Sequence, residues 1–485
     1  MDTALKLRGL TSFVLILALV SGCTVGPNFE EPVVDSPGSY RTQVTQIMDL
    51  ADLKWWELFD DPLLVSLLTT ALENNRDIKI AVSRIAQSRA ALGFIEVDGY
   101  PRLDVEAAIS RGNFTGVGKS PTTSTNAYIA APLSWEIDFW GKFSRATDAA
   151  RADLIASRYG LKTVQLTLVS GVVSSYYELL DFHRRLDISI NTLKSRIDSL
   201  TIIQHRFDKG IISELDVNQA QIQKEIATAA IPLYQRSISK AENSLSILMG
   251  RLPGAIKTLH DISMQSPPPD IPVGMPADIL ERRPDITQAK FLLRAQTENI
   301  GIAEALRWPA ISLTGTLGVA STELDSITVD GGFWSVGGQL LGPIFNFGQN
   351  KRRVEIEEAI TQQFLFQFEN IVLTAFREVE DALVEIETYR QELTAIDRQL
   401  KAARNANELS KERYDKGVSS YLEVLDTERT LFSTDLQQSQ THQLYLNAYV
   451  NLYKALGGGW VTETDRELLE TVDFKSITHQ SEPSN

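Results

Sequence analysis

The chain has 485 residues, of which 43% are hydrophobic, 22% charged and 8% aromatic, a composition typical of ordered protein and too apolar for a disordered chain. Its 62 acidic and 47 basic residues give a net charge of −15, so it lacks the basic surface that nucleic-acid binding requires. One cysteine excludes an intrachain disulfide, and the five histidines contain no HxxxH pair. The sequence therefore predicts no enzyme, metal site or cofactor.

The N-terminus has the pattern of a secretory signal. Lys6 and Arg8 precede an apolar run, residues 10–20, that is shorter than the roughly 20 residues a membrane-spanning helix needs. The run leads into Ser-Gly-Cys23, so the only cysteine stands where a bacterial lipobox carries its lipid. We expect a signal peptide over 1–22, lipidation of Cys23 and a lipid-anchored segment over 23–60; the alternative is an ordinary signal peptide with an incidental cysteine. Bacterial lipoproteins that stay at the inner membrane often carry Asp after the lipidated cysteine. This chain has Thr24 there, which favours the outer membrane.

The rest of the chain is an internal duplication. Residues 206–217 (RFDKGIISELDV) match residues 413–424 (RYDKGVSSYLEV) at an offset of 207. The same offset relates Trp140-Gly141 to Phe347-Gly348 and Gly250 to Gly457, and an offset of 208 relates Tyr100-Pro101 to Trp308-Pro309. We expect two repeats, 61–251 and 277–460, a proline-rich linker at 252–276 and a polar tail at 461–485.

Each repeat shows the same order of hydrophobic periodicities. A first helix, 62–98 or 276–307, precedes two alternating stretches that predict strands over 102–112 and 126–139, then 309–320 and 333–345. Helical spacing then predicts very long helices, 141–206 and 348–413, each roughly 100 Å long at 1.5 Å per residue. Shorter helices, 213–249 and 420–456, return from them. The fold class is mainly α with a small β part, and helices of this length must pack side by side in a rod or tube.

The four strands have the length and patterning of membrane-spanning strands. Each has one apolar and one polar face over about 9–14 residues, and a transmembrane strand needs about 9–11. Aromatic residues near the strand ends suit interfacial girdles: Tyr100, Trp135, Phe139, Trp140, Trp308, Phe333, Trp334, Phe345 and Phe347. Lipid does not tolerate open sheet edges, and known bacterial barrels start at eight strands, so several copies must share one barrel. The alternative is a soluble sheet whose apolar face covers a core.

These features resemble the outer-membrane efflux protein family, the TolC and OprM channels, and in particular its lipoprotein (NodT-type) branch. The resemblance is carried by CTVGPNF at 23–29, GMPADILERRPDI at 274–286, ISLTG at 311–315 and RYxxG at 413–417. It implies a TolC-like homotrimer in which four strands per chain build one 12-stranded transmembrane β-barrel above a long α-helical barrel that crosses the periplasm. It also implies contact with outer-membrane lipid, a periplasmic membrane-fusion (adaptor) protein and an inner-membrane pump.

The glycine turns between long and returning helices are the candidate functional tips. Ser213-x-x-Asp216 and Ser420-x-x-Glu423 have the spacing of capping boxes, which is the plain structural interpretation of both acids. The family resemblance instead implies a periplasmic gate at Asp426, Leu422 and Glu423, and a tip lock between Tyr414 and Asp216. It further implies adaptor contact at the turns, which comprise Gly210, Gly417, Arg206 and Arg413. Gln219 occupies the first-repeat position of Asp426, so an acidic ring would come from one repeat only.

One motif is a near match without the required context. Residues 113–120 (NFTGVGKS) approximate a P-loop, but the first glycine is Asn113 and a strand follows where a helix is needed. We interpret the segment as a hairpin loop, with 321–332 as its counterpart.

The function we expect is the outer-membrane channel of a tripartite (RND-type) efflux system, a passive export duct for drugs or other small molecules. The alternatives are a type I secretion conduit and a structural outer-membrane lipoprotein without a pore.

Overall fold

The computed structural model describes residues 24–35, 37–41, 61–114, 122–258, 261–265, 267, 278–321 and 332–458. The predicted signal peptide, Cys23, residues 259–260, 266 and 268–276 of the linker, the 113–120 motif beyond Phe114 and the polar tail lie outside the described residues. Among the described residues, no helix is both long and apolar enough to cross a membrane.

The element order is the same in both repeats. The first repeat contains α1 (Pro62–Asn74), α2 (Arg76–Glu96), β1 (Arg102–Leu103), β2 (Glu106–Phe114), β3 (Thr122–Ile137), α3 (Lys142–Asp208) and α4 (Glu214–Leu248). The second contains α5 (Asp278–Arg282), α6 (Pro284–Ala305), β4 (Ala310–Ser321), β5 (Gly332–Leu341), α7 (Gln349–Asp415) and α8 (Tyr421–Ala455). Short 3₁₀ turns cover Val97–Gly99 and Ile262–Met264.

The duplication extends to individual hydrogen bonds. Helices α3 and α7 both have 67 residues, and α4 and α8 both have 35. The Asn75 amide donates to the carbonyl of Leu248 at 2.8 Å, and the Arg283 guanidinium donates to the carbonyl of Ala455 at 3.1 Å. These donors are 208 residues apart and the acceptors 207, so different side chains make the equivalent contact in each repeat.

Both predicted first helices are interrupted. The side chain of Asn75 accepts from the N–H groups of Asp77 and Ile78, at 2.8 and 3.2 Å, and so begins a new helix inside the predicted 62–98. The predicted 276–307 breaks before Pro284 because proline has no N–H to donate and disfavours helical geometry in the residue before it.

Two predicted strands also differ from the structure. The predicted 102–112 splits at residues 104 and 105, and Pro132 of β3 is the position opposite Asp104. Pro132 accepts from the Asp104 N–H at 3.1 Å but cannot donate in return, so the ladder is interrupted. The predicted 333–345 ends at Leu341, because Gly342 and Pro343 follow.

The strands form one antiparallel sheet in which β1 and β2 share one side of β3, followed by β4 and β5. The register places apolar residues of neighbouring strands on one face: Leu133 lies opposite Leu103, and Leu317 lies opposite both Ala131 and Trp334. The other face is polar, with Glu136 opposite Ser312 and Ser312 opposite Gln339. The apolar face is exposed; Trp334 is 76% and Val336 is 81% accessible.

The chain divides into two compact units, and each contains parts of both repeats. One unit comprises Met1–Val34, Val82–Gly160 and Asp285–Ile371 and contains the sheet. The other comprises Asp35–Ala81, Leu161–Pro284 and Val372–Asn485 and contains the glycine turns. The largest buried side chains of the second unit include Leu64, Leu68, Tyr176, Tyr177, Ile203, Leu245 and Leu446.

Candidate functional site: the helix tips and the anchored terminus

The two tips have the same backbone geometry. The N–H of Gly210 donates to Phe207 at 2.7 Å and the next N–H donates to the carbonyl of Arg206 at 3.0 Å. Gly417 and the residue after it repeat this pattern on Tyr414 and Arg413, at 3.0 and 2.9 Å. Both glycines have φ near +70°, which makes each turn a Schellman motif that ends a long helix. Sequence reasoning therefore located both turns.

The side chains at the start of the returning helices differ between the tips. In the first repeat, the Asp216 carboxylate accepts from the N–H and the hydroxyl of Ser213, at 3.1 and 2.9 Å, and so caps α4. In the second, the Ser420 side chain makes no capping bond and Glu423 accepts from Arg413 Nε at 2.9 Å instead. The capping interpretation is therefore wrong for Glu423, because an arginine within reach takes its carboxylate.

Tyr414 and Asp216 do not form the expected lock in this structure. The Asp216 carboxylate is occupied by Ser213, and the buried phenol oxygen of Tyr414 has no hydrogen-bond partner among the described residues. The Tyr414 ring packs at 5.3 Å from the ring of Tyr421 and lies 4.5 Å from the Arg206 guanidinium. Its contacts are therefore with the apolar cluster under the tips, which includes Ile203, Ala220, Tyr421, Val424 and Leu425. Burial raises the pKa of the Tyr421 phenol.

The two arginines of the turns are engaged within the chain. Arg206 pairs with Asp415 at 3.1 Å, and Arg413 pairs with Glu423 at 2.9 Å. The first pair joins α3 to α7, and the second joins α7 to α8. Both pairs are partly solvated. Solvated ion pairs contribute little stability. The Arg413 side chain is 52% accessible, whereas that of Arg206 is 28% accessible.

The predicted gate residues Leu422 and Asp426 are exposed on α8. The Asp426 side chain is 71% accessible and accepts from Arg429 at 3.1 Å, one helical turn away. It borders a groove of about 360 Å³ that is also lined by Arg196, Gln223, Arg429 and Phe432. The negative charge expected at this position is therefore partly neutralised within the same chain.

Arg196 is a residue of this groove that sequence reasoning missed. It is 2% exposed, donates to the carbonyl of Gln223 at 2.5 Å and lies 4.9 Å from the ring of Phe432. Its Nε and Nη2 atoms are buried without a hydrogen-bond partner among the described residues, and burial lowers the pKa of the guanidinium. The available signal was its seven-residue spacing from Ser189 and Ile203, both buried in the same helix.

A second site holds the segment that follows Cys23. The guanidinium of Arg145 donates to the carbonyls of Gly26 and Pro27 and to the side chain of Asn28, at 3.2, 2.9 and 3.1 Å. The same guanidinium forms a buried ion pair with Glu298 at 2.6 Å. The N–H of Val25 donates to the carbonyl of Trp140 at 3.2 Å.

Thr24 packs so closely on Gly141 that a Cβ there would lie 2.1 Å from the threonine Cγ2. Gly141 follows the end of β3 by four residues. The residue after Cys23 is therefore held beside one end of the sheet. Among the described residues, no group of three or more His, Cys, Asp or Glu side chains could hold a metal ion.

Solved structures with this arrangement are outer-membrane channels. The structure of the outer-membrane channel OprN superposes with a TM-score of 0.84 at 28% identity, covering 90% of this chain and all of that one. The chain thus has the fold of this class of membrane protein, and the predicted mainly helical, internally duplicated, TolC-like fold is confirmed.

The family profile described as "Outer membrane efflux protein" matches residues 67–251 and 275–458. The chain belongs to this family. It is 33% identical over 471 residues to the solvent efflux pump outer membrane protein SrpC of Pseudomonas putida, covering 94% of this chain and 99% of SrpC. It is 31% identical over 460 residues to the cation efflux system protein CusC of Escherichia coli, covering 93% of this chain and 98% of CusC. The predicted efflux role and outer-membrane location are confirmed.

The contrast between the two caps generates a stability prediction. Asp216→Ala removes the acceptor of the Ser213 N–H and should lower the free energy of unfolding by about 1 kcal/mol. Glu423→Ala is the matched variant in the equivalent first turn; it removes an exposed ion pair and should cost about 0.5 kcal/mol or less. Urea unfolding followed by far-ultraviolet circular dichroism measures both, and equal losses would contradict the assignment of capping to one repeat.

Proposed function

We propose that the chain is the outer-membrane channel of a tripartite (RND-type) efflux system. Three copies share one 12-stranded barrel, and their paired helices continue it as a tunnel through the periplasm to an adaptor protein and an inner-membrane pump. The chain carries out no reaction; it provides a passive duct for drugs or other small molecules. The observation that carries the proposal is the sheet, whose apolar face is exposed and whose outer strands have no further ladder partner among the described residues.

The sheet is suited to lipid and incomplete as a single copy. Exposure of the apolar side chains on this face costs free energy in water, and their contact with acyl chains is favourable. The free N–H and C=O groups of β2 and β5 cost several kcal/mol each in a membrane unless another strand accepts them. The smallest known bacterial barrels have eight strands, so a barrel built from four strands per copy needs two or more copies. The family resemblance implies three.

The anchored terminus supports lipidation at Cys23. Arg145 and Trp140 hold residues 25–28, and Thr24 packs against Gly141. A lipid on the preceding residue would enter the membrane next to the aromatic side chains at the end of β3. We therefore propose that 1–22 is removed as a signal peptide and that 23–60 is a lipid-anchored segment before the repeats 61–251 and 277–460.

The tips are proposed as gate and docking surface. Three copies of Asp426 around one axis would form a ring of carboxylates that can hold cations, with Leu422 narrowing the passage beside Glu423. Release of Asp216 from Ser213 would free it for Tyr414, whose phenol oxygen has no hydrogen-bond partner among the described residues. The docking surface for the adaptor would comprise Gly210, Gly417, Arg206 and Arg413.

The cargo is proposed to be chosen upstream of this channel. SrpC is named for solvent efflux and CusC for cation efflux, and the chain is about equally similar to both. A wide, water-lined duct discriminates weakly, so the pump would select. A protein-secretion conduit and a rod without a pore remain the alternatives that conductance and genetic context distinguish.

Conductance across a planar bilayer tests the channel and the gate together. We expect the purified protein to form pores, and Asp426→Ala to raise the closed-state current by about twofold or more, because it removes both the carboxylate ring and the pairing with Arg429. Gln219→Ala, at the equivalent position of the first repeat, is the matched control and should leave the current unchanged. An unaltered current in Asp426→Ala would contradict the gate assignment, and absence of any pore would contradict the channel.

Lipidation has a separate test. The wild-type chain should incorporate labelled palmitate in cells and fractionate with the outer membrane, whereas Cys23→Ser should incorporate none, because no other thiol is present. Label in the Cys23→Ser variant, or an unlabelled wild-type chain, would contradict the anchor.

A further inference from the structure

A cluster of basic side chains lies at the end of the sheet from which the long helices leave. Ala310 at the start of β4 lies opposite Leu341 at the end of β5, so both strands meet the helices at the same end. The residues just before β4 and at the start of α7 include four that are basic and exposed. This basic cluster comprises Arg307, Lys351, Arg352 and Arg353.

One hydrogen bond brings the two parts of the cluster together. The side-chain amide of Asn350 donates to the carbonyl of Leu306 at 2.8 Å. The residue before Arg307 is therefore held against the residue before Lys351. The sequence does not reveal this juxtaposition, because the two segments are more than 40 residues apart in the chain.

The positive charge of the cluster is neutralised only in part. Glu355 pairs with Lys351 at 3.8 Å and with Arg352 at 2.5 Å, and the two basic side chains remain 72% and 75% accessible. Arg307 and Arg353 have no ion-pair partner among the residues that the structure describes. Four cations thus share one carboxylate.

The duplicated fold does not require the cluster. Offsets of 207 and 208 place four other residues at the equivalent positions of the first repeat: Gly99, Ser144, Arg145 and Ala146. Arg145 is the one basic residue among these four, and it is buried and paired with Glu298. Three of the four positive charges are therefore specific to the second repeat and are not needed to begin a long helix.

Aromatic side chains surround the cluster. Trp308, which follows the first residue of the cluster, is half exposed, and Phe345 and Phe347, which precede α7, are largely exposed. Membrane-spanning strands carry aromatic residues at the level of the lipid headgroups. The next acids of α7 after its first turns, Glu357 and Glu358, lie farther from the sheet. Positive charge is therefore concentrated beside the aromatic residues.

The first repeat indicates what this level of the fold meets. Arg145 is equivalent to Arg352, and it holds the carbonyls of Gly26 and Pro27. These carbonyls follow Cys23, the proposed lipid-bearing residue, by three and four positions. The start of each long helix thus lies where the proposed anchor would enter the bilayer.

We propose that the basic cluster binds the phosphate headgroup of an anionic phospholipid in the leaflet on the helical side of the sheet. Guanidinium groups bind phosphate oxygens through paired N–H donors, and basic clusters beside a membrane-spanning segment attract anionic lipid. The inference rests on the proposed function, because it requires the sheet to lie in a bilayer. An acidic surface of a neighbouring copy is the competing occupant, and the experiment separates the two.

Native mass spectrometry of the full-length protein tests the site. The protein in detergent is incubated with equal amounts of phosphatidylglycerol and phosphatidylcholine that carry the same acyl chains. The wild-type chain should retain phosphatidylglycerol over phosphatidylcholine by about fivefold. The preference should disappear at high ammonium acetate concentration, because salt screens the attraction. No preference at low salt would overturn the proposal.

Two variants of equal charge change locate the preference. Glutamine at all four cluster positions should abolish it. The control replaces three arginines and one lysine, all exposed and farther along α7, by glutamine, and should keep it; these residues are Arg390, Arg398, Lys401 and Arg404. Loss in both variants, or in neither, would overturn the assignment to the cluster.

A conservative variant distinguishes lipid binding from a loss of folding. Lysine in place of Arg307, Arg352 and Arg353 keeps the charge and should keep most of the preference, and its loss there would overturn the electrostatic account. A glutamine variant whose trimer dissociates at lower temperature, together with a wild-type chain that has no lipid preference, would assign the cluster to a neighbouring copy instead. Pores without a lipid preference overturn the lipid site alone, whereas absence of pores contradicts the proposed function.

Discussion

The hydrogen-bonding groups at the edges of the sheet impose the constraint on which the rest of the structure depends. One copy offers the strands β1 to β5 with an exposed apolar face, and the outer edges of the sheet have no ladder partner among the described residues. Water would solvate the edges but not the face, and lipid would accept the face but not the edges. Both requirements would be satisfied if identical copies paired edge to edge.

The duplication gives both helix tips the same backbone geometry, but their side-chain contacts differ. Both tips end in a Schellman turn with a glycine near φ +70°, yet Asp216 caps its helix whereas Glu423 pairs with Arg413. Gln219 and Asp426 likewise occupy equivalent positions with different charge. Because three copies would present six tips of two kinds, the two kinds can divide the tasks of gating and docking. Arg196, whose Nε and Nη2 have no hydrogen-bond partner among the described residues, lines the groove beside Asp426.

The sequence predicted elements whose signals are long or repeated and missed those set by single contacts. The bounds of the long helices agree with the structure to within two residues, because a sustained apolar seam and a terminal glycine are both strong local signals. The breaks at Asn75 and residues 104–105 depend on a side-chain cap and on Pro132 in the facing strand. The contacts of Tyr414 with Tyr421 and of Glu423 with Arg413 are set by packing at the tips, which spacing does not encode.

The central claim is that the exposed face of the sheet lies in lipid while the opposite face lines water. Thiol labelling with a charged maleimide in reconstituted membranes measures this directly at neighbouring positions of β4. Leu317→Cys, on the apolar face, should resist labelling, and Thr316→Cys, on the polar face, should react. Equal reaction at both positions would place the sheet in water and contradict the account.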